Sequence, residues 1–229
     1  MSASLSAAVS GAKDPSPGEQ VRQEFHTATG RIKFWLWLPK RPPFAGSPLM
    51  LFLHGAGERG DDLKLVKKHG PPRLVEANKD LQPFILISPQ CPKERSWNID
   101  QLKELVDALA EKYRADKSRL YITGLSMGGF ATWEMTAKYP DLFAAAIPIC
   151  GGGNPKDAEK VKRIPFRVYH GAKDEAVPVH RSQQMVDALK KAGARDVEIE
   201  IFPDIAHESW TPVYANPQTY AWLLKQRKR

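Results

Sequence analysis

Ser126, Asp174 and His207 are the residues of this chain whose types and order suit nucleophilic catalysis. Ser126 lies in Gly124-Leu125-Ser126-Met127-Gly128, a G-x-S-x-G arrangement between an apolar run at 120–123 and a helical pattern at 129–138. A serine in that setting sits on a tight strand-to-helix turn. The glycines let strand and helix approach, and the helix N-terminus offers N–H groups to developing negative charge. A hydroxyl is a weak nucleophile and needs a base oriented by a carboxylate. With this elbow the acid is expected next along the chain and the histidine last.

Two histidines lie beyond His170. His207 follows the final strand-like run and a Pro-Asp turn, where the base belongs, whereas His180 opens a helical stretch and is read as a surface residue. Asp174 stands four residues after His170, at the end of a strand-like run, and is taken as the acid. Its competitors are Glu175 and Asp204, the latter at the wrong strand end.

An attacked ester also needs two donors for its oxyanion. The backbone N–H of Met127 is one. The second is assigned to Ala56 in the loop His54-Gly55-Ala56-Gly57, with Gly55 or Gly57 as alternatives. His54 is read as fixing that loop, and Glu58, Arg59 and Asp61 as holding it rigid. Trp97 and Trp210 are candidate substrate-binding rim residues, although Trp210 can equally pack beneath the histidine loop. Trp133 is read as core.

The elements that must position these groups follow from periodicity. Strand-like runs are expected at 21–27, 32–38, 49–53, 84–88, 120–123, 144–149, 166–170 and 197–202. Helical patterns lie near 62–69, 73–78, 100–113, 129–138, 181–192 and 218–227, with Gly70-Pro71-Pro72 separating the first two. Short, very apolar strands alternating with helices imply an α/β fold with a mostly parallel central sheet covered on both faces. Reactive groups in such sheets collect at the carboxyl ends of the strands, where HGAG, GLSMGG, HGAKDE and PDIAHESW all fall. Residues 1–18 are expected to be a flexible segment and 19–229 a single domain. Only residues 150–165 separate two successive strands, so no large cap domain is expected and the site should be open.

Composition narrows the classes further. The chain has 229 residues, 42% hydrophobic and 26% charged, an ordinary globular balance. Its net charge of +8 is scattered, with one dense basic cluster at the C-terminal KQRKR, so no nucleic-acid partner is expected. Cys91 and Cys150 lack metal-ligand spacing and are read as free buried thiols, with no metal and no cofactor. No apolar run is long enough to span a membrane, and residues 1–20 lack the features of a secretory leader. The chain is read as cytoplasmic, or exported with a leader outside this numbering.

Six blocks together resemble an α/β-hydrolase: LFLHGAGERG, ISPQCP with Trp97, YITGLSMGGFATW, PDLFAAAIPICGGG, HGAKDEAVPV and HESW followed by WLLKQRKR. The resemblance runs from about residue 34 to 227. It is to serine esterases of the carboxylesterase and predicted-peptidase type, near prolyl-oligopeptidase-like, dienelactone-hydrolase-like and feruloyl-esterase-like enzymes. It implies a metal-free Ser126–His207–Asp174 hydrolase working through an acyl-enzyme. The dienelactone branch has a cysteine nucleophile where this chain has Ser126, which favours esters over lactones. Short-chain or polysaccharide-linked esters of acetyl or feruloyl type are the expected substrates. A serine peptidase on short peptides and an acyltransferase share the same residues, and a catalytically silent binding protein is the non-enzyme rival.

Overall fold

The computed structural model describes residues 8–10, 15–27 and 30–228. Among them nine strands form one sheet: β1 (Ala8–Ser10), β2 (Gln20–Thr27), β3 (Gly30–Trp37), β4 (Leu49–Leu53), β5 (Ile85–Pro89), β6 (Leu120–Leu125), β7 (Ala145–Ile149), β8 (Phe166–Gly171) and β9 (Val197–Phe202). Their order is β1-β2-β3-β5-β4-β6-β7-β8-β9. From β5 to β9 every pairing is parallel, while β1, β2 and β3 extend the sheet antiparallel.

The α-helices of the described residues are α1 (Pro71–Leu74), α2 (Ile99–Lys112), α3 (Met127–Lys138), α4 (Ala158–Val161), α5 (His180–Lys191), α6 (Trp210–Ala215) and α7 (Pro217–Lys225). Strand β4 shows why the sheet is covered on both faces. All five residues of Leu49-Met50-Leu51-Phe52-Leu53 are buried. Side chains alternate across a strand. Leu49, Leu51 and Leu53 therefore join one apolar cluster with Leu105 and Leu109 of α2 and Met135 of α3, while Met50 and Phe52 join the other with Tyr214 of α6 and Tyr220 of α7. Burying one such side chain contributes about 1.5–3 kcal/mol. Helix α2 makes the complementary half of this packing: Leu102, Leu105, Val106 and Leu109 line its inner face, and the Asn98 side chain caps it by accepting from Gln101 N–H.

Several local details depart from the sequence expectation. Pro71 and Pro72, read as a separator, occupy the first turn of α1, where a missing N–H costs nothing. Residues 63–68 form a 3-10 helix. Helix α6, absent from the sequence expectation, follows His207 with Pro212 inside its first turn. Within the segment expected to be flexible, Ala8–Ser10 pair antiparallel with His26–Glu24. Residues 1–7 and 11–14 of that segment lie outside the described residues.

The basic C-terminus is tied down in part: Arg227 contacts Asp116 and Ser118, and Lys228 donates its backbone N–H to the Ser118 carbonyl. Among the described residues no helix is long and apolar enough to cross a membrane. Between β7 and β8 stand only the 3-10 turn Pro155–Asp157 and the four-residue α4.

Candidate active site

Strand order brings three chain ends together. The sheet switches direction around β4, whose neighbours β5 and β6 lie on opposite sides, and ligands in such sheets sit outside the strand ends at the switch. Ser126 follows β6 and caps α3 with φ 52° and ψ −117°. A non-glycine residue held at positive φ stores roughly 1–3 kcal/mol of strain and persists only where its surroundings impose it. Here they do. A side chain at Gly124 would place its Cβ 2.4 Å from the Gly128 carbonyl oxygen, and one at Gly128 would fall 1.9 Å from that of Leu53. Only glycines let β4, β6 and α3 meet this closely. Ser126 N–H then donates to the Ile149 carbonyl at 3.0 Å, and its carbonyl accepts from Phe130 N–H at 3.0 Å.

The hydroxyl of Ser126 lies 2.9 Å from His207 Nε2, and His207 Nδ1 lies 2.7 Å from Asp174 Oδ2. Asp174 accepts only, so Nδ1 carries the hydrogen and Nε2 is left to accept from Ser126. The Asp174 side chain is fully buried, and its Oδ1 accepts the N–H groups of Ala176 at 3.0 Å and Val177 at 2.8 Å. Gly171 allows the two loops to close on each other, since a Cβ there would sit 2.0 Å from the Ala206 carbonyl oxygen. Of the rival residues, Asp204 is exposed and paired with Lys173, Glu175 is exposed, and His180 is exposed at the start of α5. The structure therefore brings Ser126, His207 and Asp174 together and leaves their competitors outside.

The loop after β4 is held by its own residues. Glu58, buried, accepts Gly55 N–H on Oε2 at 3.1 Å, which removes Gly55 as an oxyanion donor. Among the described residues the N–H groups of Ala56 and Met127 have no acceptor within the chain. His54 Nε2 accepts Cys91 N–H at 3.0 Å and its Nδ1 donates to the Gly55 carbonyl at 2.6 Å. Burial pulls its pKa down to about 4, so it stands neutral near pH 7 and serves as a brace.

The two rim tryptophans need correction. Trp97 is 8% exposed, packs on the His54 ring at 4.7 Å and donates its indole N–H to the His54 carbonyl at 3.3 Å. Trp210 is 9% exposed, wedged edge-on against His207 and His69, both at 5.4 Å. Neither has the free ring face that stacking on a substrate requires. They support the two loops from within. Among the described residues an aromatic that is exposed close to the triad is Phe130, one helical turn beyond Ser126 and 38% exposed. It borders a groove of about 430 Å³ with Gly152, Gly153, Glu134 and Arg181. Sequence reasoning missed it because an apolar residue on a helix following the elbow reads as core.

Cys150, Asp174 and His207 bring donor atoms within 4.8 Å of one another, a grouping that could by type hold a metal. The donor set does not fit one. Burial raises the Cys150 thiol to about 12, against weaker opposing contacts from the Ser126 N–H and Ser209 hydroxyl, so its sulfur stays protonated. Asp174 is meanwhile committed to three N–H donors, those of Ala176, Val177 and His207. Cys91 and Cys150 are both buried and unpaired.

A family model described as the dienelactone hydrolase family matches residues 77–215, well over half of the chain and a stretch that includes Ser126, Asp174 and His207. The chain belongs to this family. Within the dienelactone hydrolase family and beyond it, similarity points to esterases. Poly(3-hydroxyalkanoate) depolymerase C of Paucimonas lemoignei is 31% identical over 140 residues, covering 56% of this chain and 33% of the depolymerase. Acetylxylan esterase A of Emericella nidulans is 27% identical over 156 residues, covering 61% of this chain and 49% of that protein. A solved structure described as a thermostable esterase superposes with a TM-score of 0.85 at 34% identity, over 91% of this chain and 63% of that one. An acetyl xylan esterase from Aspergillus awamori shares the fold at a TM-score of 0.67 and 15% identity. This chain thus spans a third to somewhat under two thirds of the length of the first three. The α/β-hydrolase fold expected from the sequence is the fold observed.

Proposed function

We propose that this protein is a serine carboxylic-ester hydrolase acting through an acyl-enzyme. The observation that carries the proposal is the continuous contact from Ser126 Oγ to His207 Nε2 at 2.9 Å and from His207 Nδ1 to Asp174 Oδ2 at 2.7 Å. His207 takes the Ser126 proton as Oγ attacks the ester carbonyl, and Asp174 stabilises the imidazolium that forms. The oxyanion is received by the N–H groups of Met127 and Ala56, each worth about 2.7–4 kcal/mol in the transition state. His207 then protonates the leaving alcohol, and the acyl group remains on Ser126. Water, deprotonated by His207, attacks the acyl-enzyme and releases the acid, which restores the serine hydroxyl.

The substrates are short acyl groups, acetyl or feruloyl in type, on small alcohols or on polysaccharides. Two features favour a bulky alcohol part over a long acyl chain. The segment between β7 and β8 adds only four residues of α-helix, so nothing from it overhangs Ser126. Phe130 and the adjoining groove offer an apolar platform edged by Glu134 and Arg181, suited to the faces and hydroxyls of sugar rings. The names of the relatives, an acetylxylan esterase and a poly(3-hydroxyalkanoate) depolymerase, support esters carried on polymers.

The test is hydrolysis of p-nitrophenyl acetate, butyrate and octanoate, a feruloyl ester, acetylated xylo-oligosaccharides and a peptide amide. Wild-type activity on short esters that disappears in Ser126→Ala is the expected result. Phe130→Ala should raise KM severalfold on the oligosaccharide and leave p-nitrophenyl acetate unaffected. Cleavage of the amide alone, or full activity in Ser126→Ala, would overturn the proposal.

A further inference from the structure

Charge divides between the two ends of the sheet. The loops that carry Ala56, Asp174 and His207, at 54–62, 172–177 and 203–209, hold seven acids and two cations. At the other end, where the chain enters β4 and β6, segments 40–46 and 114–119 lie with 225–228, and together they hold eight cations and one acid. Charge that is scattered along the sequence is gathered by the fold.

The three basic segments are bonded to one another. Asp116 N–H donates to the Ser47 carbonyl at 2.9 Å, and Arg119 Nη2 to the Gly46 carbonyl at 3.1 Å. Arg227 Nη1 reaches Asp116 Oδ2 at 3.1 Å, and Lys228 N–H donates to the Ser118 carbonyl at 2.8 Å. Asp116, the one acid, is thus shared between Arg119 and Arg227. Arg41, Arg114 and Lys225 are exposed, and among the described residues none of them has an acid within pairing distance.

Phe44 belongs to the first of these segments and is fully exposed. It stands at the tip of a turn that Gly46 N–H closes on the Pro43 carbonyl at 3.0 Å. Pro42 and Pro43 stiffen the approach. Gly46, at φ 89°, lies so close to the 114–119 segment that a Cβ would sit 2.5 Å from the Arg114 carbonyl oxygen. The ring is therefore held outward by a turn that is clamped onto the rest of the patch.

We propose that this end of the molecule docks on an anionic lipid bilayer, its cations facing the headgroups and the Phe44 ring entering between them. The proposal is independent of the hydrolytic reading. A membrane surface rich in acidic lipid attracts each nearby Lys or Arg and also offers an apolar depth to an aromatic ring. A nucleic-acid duplex or an acidic polysaccharide answers the cations but leaves the ring in water. Strands β4 and β6, five and six residues long, separate the patch from Ser126 by roughly 17–20 Å. A docked molecule consequently turns its active site and its acidic loops toward solution.

The test is co-sedimentation of the full chain with vesicles of phosphatidylcholine, with and without phosphatidylglycerol, at low and high salt. Binding is expected only with phosphatidylglycerol present, and should be lost at high salt. Reversing three unpaired cations in Arg41→Glu/Arg114→Glu/Lys225→Glu should weaken it about a hundredfold or more, and Phe44→Ala roughly tenfold. Phe44→Trp should bind like the wild type and add an emission that brominated lipid quenches. All of these variants should hydrolyse p-nitrophenyl acetate like the wild type. Should the chain hydrolyse no ester at all, sedimentation would be unaffected, so the two readings fail separately. Wild type that stays in solution with phosphatidylglycerol vesicles at low salt overturns the proposal. So does binding that Phe44→Ala leaves unchanged and that heparin or duplex DNA matches, which would make the patch a site for soluble polyanions.

Discussion

Two strands of this sheet run into nearly the same sequence. His54-Gly55-Ala56-Gly57-Glu58 follows β4, and His170-Gly171-Ala172-Lys173-Asp174 closes β8. Each has a buried histidine, a glycine at a close approach, an alanine and, four residues after the histidine, a buried acid. Their uses are opposite. Glu58 turns back and accepts the N–H of its own loop, and His54 ties that loop to Cys91. Asp174 has its Oδ1 satisfied by the next turn of chain, and its Oδ2 reaches across to His207. The lesson is that the same short pattern makes a rigid frame or a chemical group, depending on what the acid's second oxygen meets: Glu58 Oε1 lies 3.8 Å from His69, whereas Asp174 Oδ2 lies 2.7 Å from His207 beside Ser126.

The sharpest way to break this comparison is to neutralise each acid in turn. Asp174→Asn should lower kcat by about four orders of magnitude, because the amide presents a hydrogen where His207 needs an acceptor. Glu58→Gln keeps an oxygen for Gly55 N–H, and its activity should stay within about tenfold of the wild type. Steady-state kinetics on p-nitrophenyl acetate reads both. Equal losses would make Glu58 part of the chemistry.

A second, smaller effect concerns stability. His54 takes up its proton near 6.5 when unfolded and near about 4 when folded. Its contribution is therefore complete above pH 6.5 and is lost as pH falls toward 4, about 3 kcal/mol in all. Thermal unfolding followed from pH 8 to pH 4 should show the melting temperature dropping across that window. His54→Gln should melt lower at pH 8 and show a flatter dependence. His170 adds to the wild-type slope with the same sign.

The smallest expected change is Trp97→Phe, which keeps a ring against His54 and removes one hydrogen bond to its carbonyl. It should cost about 0.5–1.5 kcal/mol. Catalysis should fall no more than about threefold if Trp97 is a brace. A large rise in KM at unchanged melting temperature would return it to the substrate rim.

How much of this is legible in the sequence differs by element. The spacing of Ser126, Asp174 and His207 at strand ends can be read because strand runs such as LMLFL and LYIT are unambiguous and the glycines around Ser126 have a steric purpose. Orientation cannot. Trp97 and Trp210 do lie beside the site, yet nothing in their sequence neighbours says whether a ring faces solvent or the inside of a loop. Helix α1 escapes a reading by pattern because Pro71-Pro72 signals a break in a helix interior but a start at its first turn. The setting of His170 is invisible for a related reason: its ring meets Ser182, which is tied in turn to Gly151, and only the fold brings the three together.

The sheet order carries one more implication, for how this molecule fails on heating. Ser126 follows β6, deep in the sheet between β4 and β7, while His207 follows β9, an edge strand in which only Val197 is buried. Edge elements open at far lower free energy than central ones, in excursions that amide exchange detects long before the molecule melts. Site-resolved amide exchange should therefore place the nucleophile and its base in different cooperative units. Warming should detach the base first, silencing a chain whose core is still intact, and recooling should restore it without refolding.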